Sequence, residues 1–183
     1  MCGTILKVAF IVTVAVGTSA TIVSMFTPGW QQSKSGGGPS MGIISYNCGS
    51  GSNQANVNDC NQWWNNKEPW EKAVIAFMIL ALLFEIFILG WAILSCFAFC
   101  CPSIFAPLPV LSGLVTIFLI IAISIYGAKN HDKIGHAPQN NAQMSNVDQV
   151  GYSFWIGIFA LIVMALATII GCVVTATMKA YQE

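Results

Sequence analysis

Four long apolar stretches, separated by polar segments of very unequal length, organise this chain: residues 5–26, 73–97, 104–126 and 152–178. Each is long enough to cross a membrane, because a helix needs about 20 residues to span the hydrocarbon and satisfies its whole backbone there without outside partners. The pattern predicts four transmembrane helices with both termini on one side. Polar segments 27–72 and 127–151 then share the opposite side, and the short segment 98–103 lies with the termini. The first stretch carries Lys7 at its beginning and ends near Ser19, Ala20 and Ser24, as a cleaved signal would. Its apolar run exceeds the roughly 7–15 residues of a signal core, so it reads as an uncleaved helix.

Composition agrees with this class and narrows it. The chain is 56% hydrophobic and 8% charged, with a mean hydropathy of +0.70, values that belong to membrane proteins. Its basic residues are all lysine, and seven acids balance them. No basic field is available to hold a nucleic-acid backbone, which excludes nucleic acid as a partner.

Lysine and cysteine placement point to opposite orientations. Lys7 and Lys179 lie on the side of the termini, whereas Lys34, Lys67, Lys72, Lys129 and Lys133 lie on the other; the positive-inside tendency would place the termini outside. Cys48 and Cys60, however, sit in the long polar segment, where a disulfide ring in an oxidising compartment contributes roughly 3 kcal/mol. Cys96, Cys100 and Cys101 cluster where the second helix leaves the membrane, just before Pro102, a setting suited to palmitoylation by cytosol-facing enzymes. The alternative for this second group is that the cysteines are small buried hydrophobes. A cytosolic location of the termini accommodates both groups, and is the orientation expected here.

Between Thr27 and Glu71 the chain turns to Gly, Ser, Asn, Gln and Trp without helical periodicity. Gly36–Pro39 and Gly49–Ser52 read as turns flanking a β-prone run, Met41–Cys48, which suggests a small antiparallel sheet held by Cys48 and Cys60. Trp63, Trp64 and Trp70 are also indoles that settle at a membrane interface whatever the function.

These residues carry a family resemblance. Thr27-Pro28-Gly29-Trp30 directly after the first helix, then Gly42-Ile43-Ile44, then Cys48 and Cys60, resemble the claudin signature of a Trp, a Gly-Leu-Trp and two cysteines. Trp30, Gly42, Cys48 and Cys60 match; Ile44 stands where the signature has its second Trp, and the cysteines are slightly farther apart. Ala122–Tyr126 resembles the end of the claudin third helix, and Gly151–Gly157 the glycines that open the fourth. The family's basic residue before the second helix has only Lys67 or Lys72 as counterpart, so the chain is identified as a divergent, invertebrate-type member. The resemblance implies a left-handed four-transmembrane-helix bundle with a small extracellular antiparallel β-sheet. It also implies that Trp30 packs between sheet and helix ends, and that the second loop adds an edge strand and touches molecules on an apposed cell.

Polar residues within the apolar stretches are few. Glu85, near the middle of the second helix, would cost about 3 kcal/mol if it faced lipid as an ion. It is expected to be a neutral acid hydrogen-bonded to hydroxyls such as Thr13, Thr18, Thr21, Thr116 or Ser124, or else to touch a partner's transmembrane helix. Gly17, Ala15 and Ala20, with Ala160, Ala165, Ala167 and Gly171, offer small faces for close helix approach, and Pro107 and Pro109 are expected to loosen or kink the start of the third helix. His131, Asp132 and His136 in the second loop lack the further ligands a metal site needs, so neither metal nor cofactor is expected.

No Ser-His-Asp order, phosphate loop, metal-ligand spacing or paired intramembrane acids suggest an enzyme. Two functions remain. One is a junction protein of the plasma membrane that self-associates in cis and trans at cell-cell contacts, forming a paracellular barrier or pore; by resemblance the residues from Gly49 to Lys67 would line it, with Asp59 as their single acid. The other is an auxiliary subunit of an ion channel or neurotransmitter receptor. The tail Lys179–Glu183 lacks the hydrophobic terminal residue a PDZ groove captures, which favours the second; loops without an Asn-x-Ser/Thr sequon lean toward the first. Expected partners are membrane lipids and either further copies of the chain or a larger channel or receptor complex.

Overall fold

The computed structural model describes residues 2–32, 42–44, 67–97, 105–129 and 149–180. Four helices form a closed ring: α1 (Cys2–Phe26), α2 (Pro69–Phe97), α3 (Leu108–Lys129) and α4 (Tyr152–Ala180). α1 packs on α4 and α2, and α3 on α2 and α4. Near one end of the bundle Phe10 of α1 meets Phe105, just before α3, and Gly171 of α4. At the other, the end of α1 meets the start of α4 and the end of α3. The helices therefore alternate in direction.

Each start has a local cause. Pro69 opens α2 at a position where a missing N–H costs nothing, and Glu68 O accepts from Glu71 N and Lys72 N at 3.1 and 3.3 Å. α2 thus begins ahead of its apolar stretch, which starts at Ala73. Pro107 and Pro109 likewise fall at the beginning of α3, where Leu111 N donates to Pro107 O at 3.1 Å. They do not kink an established helix, contrary to the sequence expectation, because they occupy the first turn, whose N–H groups have no intrahelical acceptor.

All four helices contain a span long and apolar enough to cross a membrane: Ile5–Phe26, Pro69–Ser95, Leu108–Lys129 and Tyr152–Thr177. Only 33–39% of each span's most apolar window is buried between helices, and large hydrophobics such as Leu83, Phe87, Val110, Trp155 and Ile169 face outward. An outer surface of this kind suits lipid, since neither α2 nor α4 turns a polar stripe outward. Inside, Phe10, Val14, Met78, Ala81, Ile88, Val115, Leu119, Met164 and Val174 form the core.

With no water to drive helices together, close packing carries the association. A Cβ at Gly17 would stand 2.7 Å from Met164 Sδ, and one at Gly171 would stand 3.0 Å from Phe10. Ala20, Ala160 and Ala167 are buried along the same helices, whereas Ala15 and Ala165 are only partly covered. Most hydroxyls serve their own helix: Thr13, Thr18, Thr116 and Thr168 donate to the carbonyl four residues earlier.

Two short strands, β1 (Gln31–Gln32) and β2 (Gln149–Val150), pair antiparallel with Gln31 opposite Val150 and Gln32 opposite Gln149. They join the beginning of the first loop to the end of the second. The expected sheet around Met41–Cys48 lies outside the described residues except for 42–44, as do Cys48, Cys60, Cys100, Cys101 and the 131–136 histidine segment. Cys96 lies in the last turn of α2, with its side chain outside that description.

Candidate functional site

The loop-bearing end of the bundle is organised around Trp30. α1 stops at Phe26, and a helix end leaves its last carbonyls without N–H partners. Four residues later the chain has turned back far enough for Trp30 Nε1 to donate to Ser24 O at 2.7 Å, so the indole caps the helix it follows. The Trp30 carbonyl accepts from Gly151 N at 2.9 Å and from Tyr126 Oη at 2.8 Å, using both of its lone pairs. The ring is 0% exposed. Tyr126 meets it edge-on at 4.7 Å and Phe154 at 6.0 Å, and Trp70, from the start of α2, stands 6.3 Å from Tyr126. All four helices contribute to this one cluster.

Such convergence needs close backbones. Ser153 N donates to Gly29 O at 2.9 Å, beside the Gly151–Trp30 bond. A Cβ on Gly151 would overlap the backbone at Gly29 O, so glycine is required there by space alone, and one on Gly29 would force the Tyr152 ring and the Ser153 hydroxyl to move. Ser24 Oγ donates to Ser153 O at 2.8 Å, and the hydroxyls of Thr27 and Ser153 lie 2.7 Å apart. The start of the first loop and the end of the second are thereby fixed to each other and to the bundle.

A family described as tight junction protein, claudin-like, matches residues 1–178. The chain belongs to that family. No individual curated protein matches it. The signature positions Trp30 and Gly42 both lie at this end of the claudin-like bundle, Gly42 being buried; the cysteine pair of the signature lies outside the described residues.

The structure also separates the two lysines that sequence left as alternatives. Lys72 is exposed. Lys67 is 4% exposed, its Nζ donates to Ile43 O at 2.6 Å, and Glu71 Oε2 lies 3.7 Å away, one helical turn on. Burial holds the Lys67 amine below the ordinary lysine value, and the charge of Glu71 opposes that shift. Ile43, 5% exposed, sits above a small cavity lined also by Trp70, Glu71, Val74 and Tyr126. Glu71, Tyr126, Ser24 and Ser153 were given no structural partner by the sequence reading. A serine two residues after a helix-opening glycine, or a tyrosine at a helix end, carries no local signal of a partner more than ninety positions away.

Glu85 occupies a separate place within the bundle. It is 0% exposed, so it is turned inward and not toward another molecule. Of the hydroxyls considered, Thr21 reaches it, with Oγ1 2.9 Å from Glu85 Oε1 and 3.1 Å from Gly17 O. One hydroxyl proton cannot serve both acceptors. A neutral carboxyl resolves the conflict by donating to Thr21 Oγ1, which then donates to Gly17 O. The other carboxyl oxygen has no hydrogen-bond partner among the described residues.

Proposed function

We propose that this claudin-like protein is a cell-junction component of the plasma membrane that self-associates within one membrane and, through its loops, with copies on an apposed cell, forming a paracellular barrier or pore. The observation that carries the reading is the Trp30 cluster. A surface recognised across an intercellular gap must hold both of its loops in one arrangement relative to the membrane, since ordering them at each encounter would weaken binding. Trp30, Gly29 and Gly151 tie the two loops to one another and to α1, α3 and α4. The outward apolar faces of the helices suit lipid and lateral contact with further copies. In this reading the termini are cytosolic, Cys48 and Cys60 form a disulfide in the extracellular loop, and Cys96, Cys100 and Cys101 are palmitoylation sites.

The test is to express the tagged protein in cells that form no junctions of their own and to image contacts where both cells, or only one, carry it, together with Cys48→Ser. Enrichment only at two-sided contacts, lost in Cys48→Ser, is the expected result. Uniform surface staining at two-sided contacts would remove self-adhesion and leave the auxiliary-subunit role, which co-purification of a channel or receptor from native membrane would then establish.

A further inference from the structure

Glu85 is fully buried in the middle part of α2, and an ionisable side chain at such a depth costs stability unless it has a task. Its surroundings suit the neutral acid. Thr21 Oγ1 lies 2.9 Å from Glu85 Oε1 and 3.1 Å from Gly17 O, and all three are satisfied when the carboxyl donates to Thr21 and Thr21 donates to Gly17. The titratable groups of the surrounding helices stand toward the helix ends. By the rise of a helix, Lys7 lies about 20 Å along α1 from Thr21, with Cys2 farther still, and on α2 Glu71 and Lys72 lie about 20 Å to one side of Glu85 and Cys96 about 16 Å to the other. α3 carries Tyr126 and Lys129 at its loop-bearing end, and α4 carries Tyr152 at its start and Cys172 and Lys179 toward its other end. None of these cations stands beside the carboxyl. Removing the proton therefore undoes the arrangement. Thr21 then has one proton for two acceptors, and Oε2, without a hydrogen-bond partner among the described residues, shares a charge that no donor meets. A buried charge of that kind persists only with water or a counter-ion beside it. The Thr21–Glu85 bond crosses the α1–α2 seam, the least extensive of the four between neighbouring helices and the one with least packing to lose.

We propose that Glu85 is a proton-controlled latch: the protonated acid closes the α1–α2 seam through Thr21, and loss of its proton opens that seam to water and loosens the Trp30 cluster. The connection runs along α1. One turn beyond Thr21, the Ser24 carbonyl accepts the Trp30 indole at 2.7 Å, and the Trp30 carbonyl in turn accepts from Gly151 N at 2.9 Å. A displacement of α1 at Thr21 thus reaches the point where the start of the first loop is tied to the end of the second. The latch stands on this geometry and does not depend on the junction role.

The experiment uses the full chain in lipid nanodiscs and two readouts across a pH series. Infrared difference spectra against Glu85→Gln isolate the carbonyl stretch of a protonated Glu85. Hydrogen exchange at Gly151 and Ser153, whose amides donate to Trp30 O and Gly29 O, reports the cluster, and the ratio to Glu85→Gln at each pH removes the intrinsic pH dependence of exchange. Glutamine keeps the shape and a donor for Thr21 but has no proton to lose; Glu85→Met serves the same comparison if the amide variant folds poorly. The acid band is expected at neutral pH and is expected to fade as the pH is raised. Exchange at Gly151 and Ser153 is expected to accelerate about tenfold over the same interval, the effect of losing one buried hydrogen bond, and to stay level in Glu85→Gln and Glu85→Met. Absence of the acid band at neutral pH would show that the carboxyl is already ionised and would overturn the proposal. A band that persists until the helices unfold would show that the latch never opens, and overturns it too. A band that fades while the exchange ratio stays constant would break the link between Glu85 and the Trp30 cluster, and the latch with it.

Discussion

Replacing the Trp30 indole tests most directly how the loop-bearing end is held, because the residue contributes through two separable properties. The first is the Nε1–H bond to Ser24 O at 2.7 Å. Ser24 is fully buried, so without the indole donor its carbonyl is left short of a partner, at a cost of roughly 1–3 kcal/mol. The second is volume. Phenylalanine is smaller than tryptophan by roughly 40 Å³, which at about 24 cal/mol per Å³ of unfilled cavity amounts to about 1 kcal/mol. In a bilayer or micelle the unfolded reference is not fully in water, so the transfer gain of ordinary core substitutions is reduced, while lost contacts and the unsatisfied carbonyl keep their weight. Trp30→Phe is therefore expected to destabilise the bundle by roughly 2–4 kcal/mol, with the hydrogen bond as the larger part.

Denaturation by SDS in mixed micelles, followed by far-ultraviolet ellipticity, measures the total. Benzothienylalanine at position 30 has nearly the shape of tryptophan but no N–H, and divides it: the analogue should lose roughly 1–3 kcal/mol and phenylalanine about 1 kcal/mol more. An analogue as stable as the unsubstituted protein would refute the capping role of Trp30. The fold would then depend on the fit of the ring against Tyr126 and Phe154 alone.

Gly151→Ala places a methyl against Gly29 O and should separate β1 from β2, so that hydrogen exchange at Trp30, Gln31 and Gln32 accelerates; unchanged exchange would mean that the strands adjust without loss of pairing. Thr21→Val removes the hydroxyl that meets Glu85 and should lower stability by about 1–3 kcal/mol, an effect expected to shrink when Glu85→Gln is already present; additive losses would show that the two side chains are not coupled. The amine of Lys67 is held below its ordinary value of 10.5, so between the folded and unfolded values the unfolded chain binds more protons and stability rises with pH. Comparing the unsubstituted protein with Lys67→Met on the alkaline side, up to about pH 10.5, should reveal a rise present only where Lys67 is; equal slopes would contradict the burial of a charged amine.

The helices were legible because a membrane makes their signal simple: about 20 apolar residues suffice, and irregular backbone facing lipid is excluded. The helix ends were less so. Pro107 and Pro109 were expected to loosen or kink the start of α3, and prove harmless there once it is clear which turn they occupy. Trp30, Gly42 and the lysine pair were found through the signature, but what they touch could not be, since Ser24, Tyr126 and Gly151 are ordinary residue types for the places they hold. Glu85 shows the same limit from the other direction. Burial cost required only that it face protein, in its own bundle or in a partner's helix, whereas the choice of Thr21 among five hydroxyls depended on the rotation of α1 against α2. Most of the other hydroxyls had already been claimed by their own helix backbones.

The Trp30 carbonyl explains how three helices are gathered at one atom. A loop that leaves a helix at a membrane surface carries backbone groups that neither lipid nor the helix can satisfy, and each one left buried without a partner costs on the order of 1–3 kcal/mol. Here Tyr126 and Gly151 both donate to that carbonyl while the indole of the same residue satisfies Ser24. One residue thus settles the end of α1 and the approach of α3 and α4. Lys67 does the corresponding work for the return of the loop, at a carbonyl of the 42–44 turn. All four points where the chain crosses this end of the bundle are then fixed by directed donors, an arrangement that hydrophobic packing alone does not specify. Substitutions at Trp30, Tyr126 or Lys67 should accordingly alter where the loops stand before they alter whether the helices form.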